Sequence, residues 1–238
     1  MTNVSVFDFH SHILPKADHG CGSGGEAVLQ LELMKNAGIG NAVATPHFYP
    51  NRHDIPYFFE KLDASVGELR AALDERGDSA LPRIALGAEV LICDNIHRMD
   101  DFEKLCIRGT NVMLLEFPMS GEWSSSLFDT VDAIQRRDIT IVLAHIDRYL
   151  PSHREDIELL LDMGAYAQIN ASSFKRFMFK RHLAPFLSDD RLVAFGTDMH
   201  GEDKSAADAF AALASLKNGV FEDVMQRSAS LLSGAEYI

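Results

Sequence analysis

Histidine and carboxylate side chains stand at the ends of short apolar runs along this chain of 238 residues. Six of the seven runs end in a residue type that binds metal ions, namely His10 with His12 two residues on, His47, Glu89, Glu116, His145, and Asp198 with His200 two residues on. Imidazole nitrogens and carboxylate oxygens are common ligands of zinc, manganese and iron in proteins. If the fold brings the ends of the runs together, these side chains form a metal site.

The apolar runs alternate with segments of helical spacing. The runs predict seven strands, at residues 4–9, 41–46, 84–88, 111–115, 140–144, 165–169 and 192–197. Apolar residues three or four apart predict helices at residues 27–37, 57–76, 124–137, 157–163, 174–187, 206–217 and 221–232. Strands that alternate with helices indicate a parallel sheet with right-handed crossovers. We expect one α/β domain over residues 1–238, a TIM-like barrel of seven strands whose carboxyl ends meet on one face.

An open, doubly wound sheet is the competing architecture, because residues 20–25 match the dinucleotide-binding pattern G-x-G-x-x-G. In that fold the glycines directly follow the first strand, and an acidic residue that binds the ribose ends the second strand. Here the glycines begin about ten residues after the first run, and the second run ends in His47. We therefore interpret the glycines as a mobile loop over the mouth of the site.

The composition restricts the possible partners. A net charge of -13 argues against a nucleic-acid partner, because such proteins present a basic face. No apolar run approaches the ~18 residues that a membrane span needs, and the first residues lack the features of a signal peptide. Cys21, Cys93 and Cys106 form no C-x-x-C pair. We expect a cytoplasmic protein without membrane insertion, and its oligomeric state stays open.

The motifs around the acidic and histidine residues resemble those of a known group of enzymes. They read FDFHSHILP at 7–15, ATPH at 44–47, GAEV at 87–90, LLEFP at 114–118, AH at 144–145 and TDMH at 197–200. Their order is similar to that in the polymerase and histidinol phosphatase (PHP) superfamily. More narrowly, the chain resembles the CpsB/YwqE-type bacterial tyrosine phosphatases of capsule and exopolysaccharide clusters, from residue 7 to about residue 200.

The resemblance implies a distorted seven-stranded barrel with three divalent ions, usually manganese, with zinc, iron or cobalt as alternatives. It implies that the first ion is held by His10, His12, Glu89 and Asp198. Glu89 would bridge to a second ion held with Glu116 and His145, and the third would be held by His19, His47 and His200. Three carboxylates leave a net charge of about +3 on three divalent ions, which suits a phosphate and a bridging hydroxide.

The implied activity is hydrolysis of phosphotyrosine in the tail of a polysaccharide-export tyrosine kinase. Arg148, Asp198 and His200 are the expected catalytic residues, and Arg148 would bind phosphate through its planar fork. The chain departs from the group at His19, where a carboxylate is usual, and in having only Lys204 where a second arginine is usual. The second departure concerns the substrate more than the metals.

Other interpretations stay open. One is a PHP-type phosphatase of a small molecule such as histidinol phosphate, and another is a non-catalytic regulatory module of a polysaccharide cluster. A cysteine-dependent tyrosine phosphatase needs Cys-x5-Arg, and no cysteine here has an arginine six residues on. Arg148 could instead pair with Asp147 or Glu155 at the surface. Asn170 fits a structural cap, whereas Phe48, Tyr49 and Trp123 fit either a phenyl pocket or the core.

Overall fold

Ten short parallel strands build the centre of the molecule. The computed structural model describes residues 5–77, 81–150, 152–175 and 177–238. The strands are β1 Phe7–His12, β2 Asn41–Ala44, β3 His47–Phe48, β4 Arg83–Leu86, β5 Glu89–Leu91, β6 Val112–Glu116, β7 Thr140–Leu143, β8 Tyr166–Asn170, β9 Leu192–Gly196 and β10 Met199–His200. All seven predicted runs contain a strand, although Val4, in the first predicted run, lies outside the described residues.

The seven predicted helices are confirmed, with ends that differ by a few residues. The helices are α1 Gly24–Asn36, α2 Ile55–Arg76, α3 Ser125–Gln135, α4 Ile146–Tyr149, α5 Arg154–Asp162, α6 Phe177–Leu187, α7 Lys204–Leu213 and α8 Val220–Leu231. Arg176, in the predicted helix 174–187, lies outside the described residues. Helix α4 was not predicted, because one turn is too short to show a helical period. No helix in the described part of the chain is both long and apolar enough to cross a membrane.

Three short strands lie just beyond predicted runs and were not predicted. β3 follows β2 and the run at 41–46, β5 follows β4 and the run at 84–88, and β10 follows β9 and the run at 192–197. The two strands of each pair lie in different sheets, of order β10-β1-β2-β4 and β3-β5-β6-β7-β8-β9. Pro46, which has no N–H to donate, and Asp198, with a φ of +51°, stand at two of the breaks.

The strand register sets the first neighbours in the site. His47 in β3 is the Cα partner of Glu89 in β5, and His12 in β1 is the partner of His200 in β10. Side chains of directly paired residues lie side by side on one face of a sheet. The register alone therefore brings together two pairs of predicted ligands, one histidine with a carboxylate and one histidine with a histidine, that are far apart in the sequence.

Buried polar bonds hold the ends of two strands against each other. The Asp8 carboxylate in β1 accepts hydrogen bonds from the Thr197 amide at 2.9 Å and from the Thr197 hydroxyl at 2.6 Å. Asp198 N–H donates to the His10 carbonyl at 2.8 Å. Because burial is the dominant influence, the pKa of Asp8 rises to about 6. These bonds fix the carboxyl end of β9 beside the two histidines of β1.

Candidate metal centre

The nine side chains that were predicted as ligands lie in one cluster at the carboxyl ends of the strands. His10, His12, His47, Glu89, Glu116 and His145 are buried, Asp198 and His200 are partly buried, and His19 is exposed. Side chains two apart on a strand share a face, and His10 and His12 accordingly point the same way, with Nε2 atoms 3.1 Å apart.

Glu89 lies at the middle of the cluster. Its Oε2 atom is 3.2 Å from His10 Nε2 and 3.3 Å from His12 Nε2. The same oxygen is 2.8 Å from His47 Nδ1, while Oε1 lies 2.7 Å from His145 Nε2. One carboxylate therefore faces four imidazoles, three from strands β1 and β3 and one at the start of α4.

Asp198 closes the cluster on the side of β9 and β10. Its Oδ1 atom is 3.6 Å from His10 Nε2, 3.4 Å from His12 Nε2 and 3.6 Å from His200 Nδ1. Its other oxygen, Oδ2, accepts a hydrogen bond from Asn170 Nδ2 at 2.8 Å. The two oxygens of Asp198 thus face different surroundings, one the imidazoles and the other an amide donor.

Three groups of ligand atoms within the described residues are close enough to hold a cation. In each group the ligand atoms lie within 4.8 Å of one another; the groups are His10–His12–Glu89, His12–His47–His200 and His47–Glu89–Glu116. Glu89, His12 and His47 each belong to two groups. Shared members place the three potential cation positions next to each other.

His19 lies at the exposed edge of the cluster, beside the two histidines with which it is expected to share an ion. It stands outside those three groups, but its ring centroid is 4.7 Å from that of His200 and 5.1 Å from that of His47. His145 also stands outside the groups, with Nε2 3.6 Å from Glu116 Oε1. The structure brings both residues to the cluster.

Several buried polar atoms of the cluster have no hydrogen-bond partner among the described residues. They are Glu89 Oε2, His47 Nδ1, His145 Nδ1 and His200 Nε2. A buried polar atom without a partner costs about 1–3 kcal/mol, so it is retained where something else satisfies it. His47 Nδ1 and Glu89 Oε2 are close but poorly directed for a hydrogen bond, as expected of two atoms that both present lone pairs to a cation. The donor set fits divalent metal ions.

The charges of the cluster are mutually dependent. Burial, and then the neighbouring Glu89 carboxylate, raise the pKa of Glu116 to about 7. Burial opposes protonation of His10, but the charges of Glu89 and Asp198 outweigh it and raise the pKa of His10. Burial, and then the charge on His12, lower the pKa of His200 to about 4. Without a metal ion, protons on His10 and His12 offset the carboxylates, and these are the sites that metals take.

Arg148 reaches the cluster from α4 and donates a hydrogen bond to Asp198 Oδ2. The two side chains line a cavity of about 420 Å³ with Asn170, Ser172 and Ser173. Lys204 points elsewhere, because its Nζ donates to both carboxylate oxygens of Asp208 at 2.7 Å. Among the described residues, the cavity wall therefore holds one guanidinium together with neutral groups and three carboxylates, and Lys204 does not line it.

Two acidic residues of the site were not predicted. Asp18 Oδ2 accepts from His12 Nδ1 at 2.6 Å and from the His47 amide at 3.0 Å, and so orients two histidines. Asp147 is buried and accepts from the Asn170 amide at 2.8 Å and from the Ser173 hydroxyl at 2.5 Å, rather than pairing with Arg148. Asp18 directly precedes His19 in a motif position, which was the available clue, whereas Asp147 could be assigned only from its contacts.

The aromatic candidates divide between core and rim. Phe48 is fully buried and packs edge-to-face on Phe58. Trp123 is buried between Phe117 and a parallel, stacked His153, with ring centroids 4.4 and 4.2 Å away. Tyr49 stacks on His47 at 5.0 Å and lines a second cavity of about 360 Å³ beside Glu116. Of the three, Tyr49 lines a cavity beside the cluster.

Comparison with known proteins agrees with this architecture. The chain is 28% identical over 209 residues to the tyrosine-protein phosphatase CpsB of Streptococcus pneumoniae, covering 83% of this chain and 84% of that protein. The protein of that name from Streptococcus agalactiae is 25% identical over 208 residues, with the same coverage. A solved structure described as YwqE of Bacillus subtilis and CpsB of S. pneumoniae, metal-dependent tyrosine phosphatases, superimposes with a TM-score of 0.80 at 19% identity, covering 98% of this chain and 96% of that one. The family model for capsular polysaccharide synthesis proteins of the CpsB/CapC type matches residues 6–231, and the chain belongs to that family.

Proposed function

We propose that this protein is a metal-dependent phosphomonoesterase that hydrolyses phosphotyrosine in proteins. The observation that carries the proposal is the buried cluster of histidines and carboxylates around Glu89, which opens beside the guanidinium of Arg148. The names of the S. pneumoniae and S. agalactiae relatives support phosphotyrosine as the substrate. Because the family serves capsular polysaccharide synthesis, the tail of a bacterial tyrosine kinase is the partner that we propose.

Three divalent ions, manganese first, are the cofactors of this proposal. His10, His12, Glu89 and Asp198 would hold one, Glu89, Glu116 and His145 a second, and His19, His47 and His200 a third. Glu89 belongs to two of the three ligand groups and is their one shared carboxylate, which supports its role as the bridging ligand. When bound, such ions act as Lewis acids and lower the pKa of coordinated water.

The residues around the cavity have distinct tasks in this proposal. Arg148 presents a planar pair of N–H donors to two phosphate oxygens, and the hydroxyl of Ser172 can donate to another. The second cavity, with Tyr49, Leu91 and Phe117 in its wall, receives the aromatic ring. Hydrolysis breaks the bond between phosphorus and the tyrosyl oxygen and yields tyrosine and inorganic phosphate.

The two sheets are, in this proposal, arcs of one distorted barrel of seven strands in one domain. β1 pairs with both β10 and β2. Each of the successive strand pairs β2–β3, β4–β5 and β9–β10 contributes one strand to each sheet. A continuous hydrophobic core that includes both Phe7 and Leu232 supports a single domain. The three cysteines are free thiols, which supports a cytoplasmic location.

Kinetics on three substrates test the function. After loading with Mn²⁺, the full chain should hydrolyse a phosphotyrosine peptide more efficiently than a phosphoserine peptide, because a phenol of pKa about 10 leaves more readily than an alkanol. Histidinol phosphate is the third substrate of the comparison and represents the small-molecule alternative. Far better turnover of histidinol phosphate would replace our proposal with a small-molecule phosphatase. Metal binding without turnover of any of the three would indicate a non-catalytic module.

A further inference from the structure

Two amide side chains on β8 form a series of hydrogen bonds that reaches from His10 and His145 to Asp198. Gln168 and Asn170 lie two residues apart on the same face of the strand, and both are buried. Gln168 Oε1 accepts from the His145 amide at 2.6 Å and lies 3.3 Å from His10 Nδ1. Gln168 Nε2 donates to Asn170 Oδ1 at 2.9 Å, and Asn170 Nδ2 donates to Asp198 Oδ2 at 2.8 Å.

The chemistry at the two ends gives this chain of bonds one direction. A backbone N–H can only donate, so the His145 amide requires the oxygen of Gln168 to face it. The nitrogen of Gln168 must then face Asn170, whose oxygen accepts, and whose nitrogen is left to meet Asp198. An ionised carboxylate can only accept, so the last bond has the polarity that the first one requires.

The same bonds determine which nitrogen His10 offers to the cluster. Because the oxygen of Gln168 is an acceptor, His10 donates from Nδ1 and turns Nε2 toward the cluster, where a metal ion can replace its proton. That Nε2 atom lies 3.2 Å from Glu89 Oε2. The arrangement is the one by which metal-binding histidines are oriented in proteins, through the ring nitrogen that does not face the metal.

The two residues at the ends of this series of hydrogen bonds have an unfavourable backbone conformation. His145 has a φ of +31° and Asp198 a φ of +51°, in the left-handed region that side chains other than glycine rarely adopt. Such conformations are strained and persist where the surroundings fix them. Gln168 binds the backbone of the first, and Asn170 binds the side chain of the second.

Gly196 on the neighbouring strand β9 leaves the space that the amide of Gln168 needs. A Cβ atom at this position would lie 2.7 Å from Gln168 Nε2 and 2.7 Å from the Cβ of His10. Both distances are shorter than real Cβ contacts, so a larger residue would displace the amide or the histidine. A glycine at position 196 of β9 therefore leaves room for the side chains of Gln168 and His10.

We propose that Gln168 and Asn170 form a positioning relay that orients His10, His145 and Asp198 for metal binding and holds Asp198 toward Arg148. The relay rests on the metal site proposed above and adds two residues that are neither ligands nor substrate contacts. Loss of an ordinary hydrogen-bonded polar pair in the core lowers stability alone. Loss of the relay must also weaken metal binding.

The test compares Gln168→Met, Asn170→Ala and the double variant with the wild type, using calorimetric titration with Mn²⁺ and metal counts per chain. Loss of groups that orient ligands weakens metal binding by about 10- to 100-fold. Because the two amides act in series, the double variant should bind no more weakly than Gln168→Met. Two effects that multiply in the double variant would contradict a relay.

Ser228→Ala is the matched control, because Ser228 is also buried and donates to a β9 carbonyl, that of Val193, at 2.6 Å. It should lower the unfolding temperature and leave the Mn²⁺ affinity unchanged. If Gln168→Met does not fold, Asn170→Ala decides by the same comparison with the control. Wild-type affinity in the variants would overturn the relay alone, whereas a wild type that binds no divalent metal would overturn the proposed function as well.

Discussion

The guanidinium of Arg148 is hydrogen-bonded to Asp198, a carboxylate whose other oxygen faces the imidazoles of the cluster. Asp198 also accepts from Asn170, so its position does not depend on the arginine alone. The guanidinium lines the cavity and has further N–H groups for an anion. The side chain that we propose to bind phosphate and the predicted metal ligand are thus held as one unit.

Replacing Arg148 should separate substrate binding from metal binding. Loss of a charge-assisted contact in the site costs roughly 2–4 kcal/mol of transition-state stabilisation, or about 30- to 1000-fold in kcat/KM. We expect Arg148→Ala to show this loss on phosphotyrosine peptides and to keep its full metal content. Lys204→Ala is the control and should change kcat/KM less than about threefold, because an exposed ion pair such as that with Asp208 contributes little. Equal effects of the two substitutions would contradict the role of Arg148.

The central position of Glu89 predicts unequal metal losses in two variants. Glu89→Ala should lose more than one metal ion per chain, because its carboxylate faces imidazoles on several sides. His19→Ala should lose one ion and keep partial activity, since His19 lies at the exposed edge of the cluster. Elemental analysis of both purified variants gives the counts. The same loss in both would show that the assignment of ligands to ions is wrong.

Metal binding should depend on pH in a defined direction. His10 and His12 have raised pKa values in the metal-free protein, and that of Glu116 is about 7. Metal ions must displace these protons, so affinity for Mn²⁺ should fall as the pH falls below about 7. Addition of Mn²⁺ to weakly buffered protein should release protons, which a pH electrode or calorimetry in two buffers can count. Affinity that stays constant from pH 6 to 8.5 would speak against these histidines as ligands.

Activity on an aryl phosphate should require metal and tolerate thiol alkylation. Burial raises the pKa of Cys21 to about 11 and that of Cys106 to about 12, and it also raises that of Cys93. Few thiolates exist at neutral pH, so iodoacetamide should react slowly and leave the rate unchanged. Dialysis against a chelator should abolish turnover, and Mn²⁺ or Co²⁺ should restore it. Activity that survives complete metal removal would exclude the proposed chemistry.

The sequence by itself determined the elements and the types of side chain at their ends. Apolar runs and helical spacing predicted seven of the ten strands and all α-helices except α4, because these patterns repeat with a local period. The motif order predicted which residues could be ligands, and the resemblance to tyrosine phosphatases agrees with the family to which the chain belongs. The short strands β3, β5 and β10 were missed, since the step of the chain from one sheet to the other leaves no change in hydrophobicity.

Only the tertiary structure decided which of these side chains meet. Glu89 reaches His145 across 56 positions of sequence, and Asp198 reaches Arg148 across 50. Such pairs depend on strand register and on how the sheets come together, which no local period encodes. The same holds for Gln168, whose partners lie on β1, beyond β7 and on its own strand. A buried amide has no sequence pattern, and its role follows from the donors and acceptors that the fold places around it.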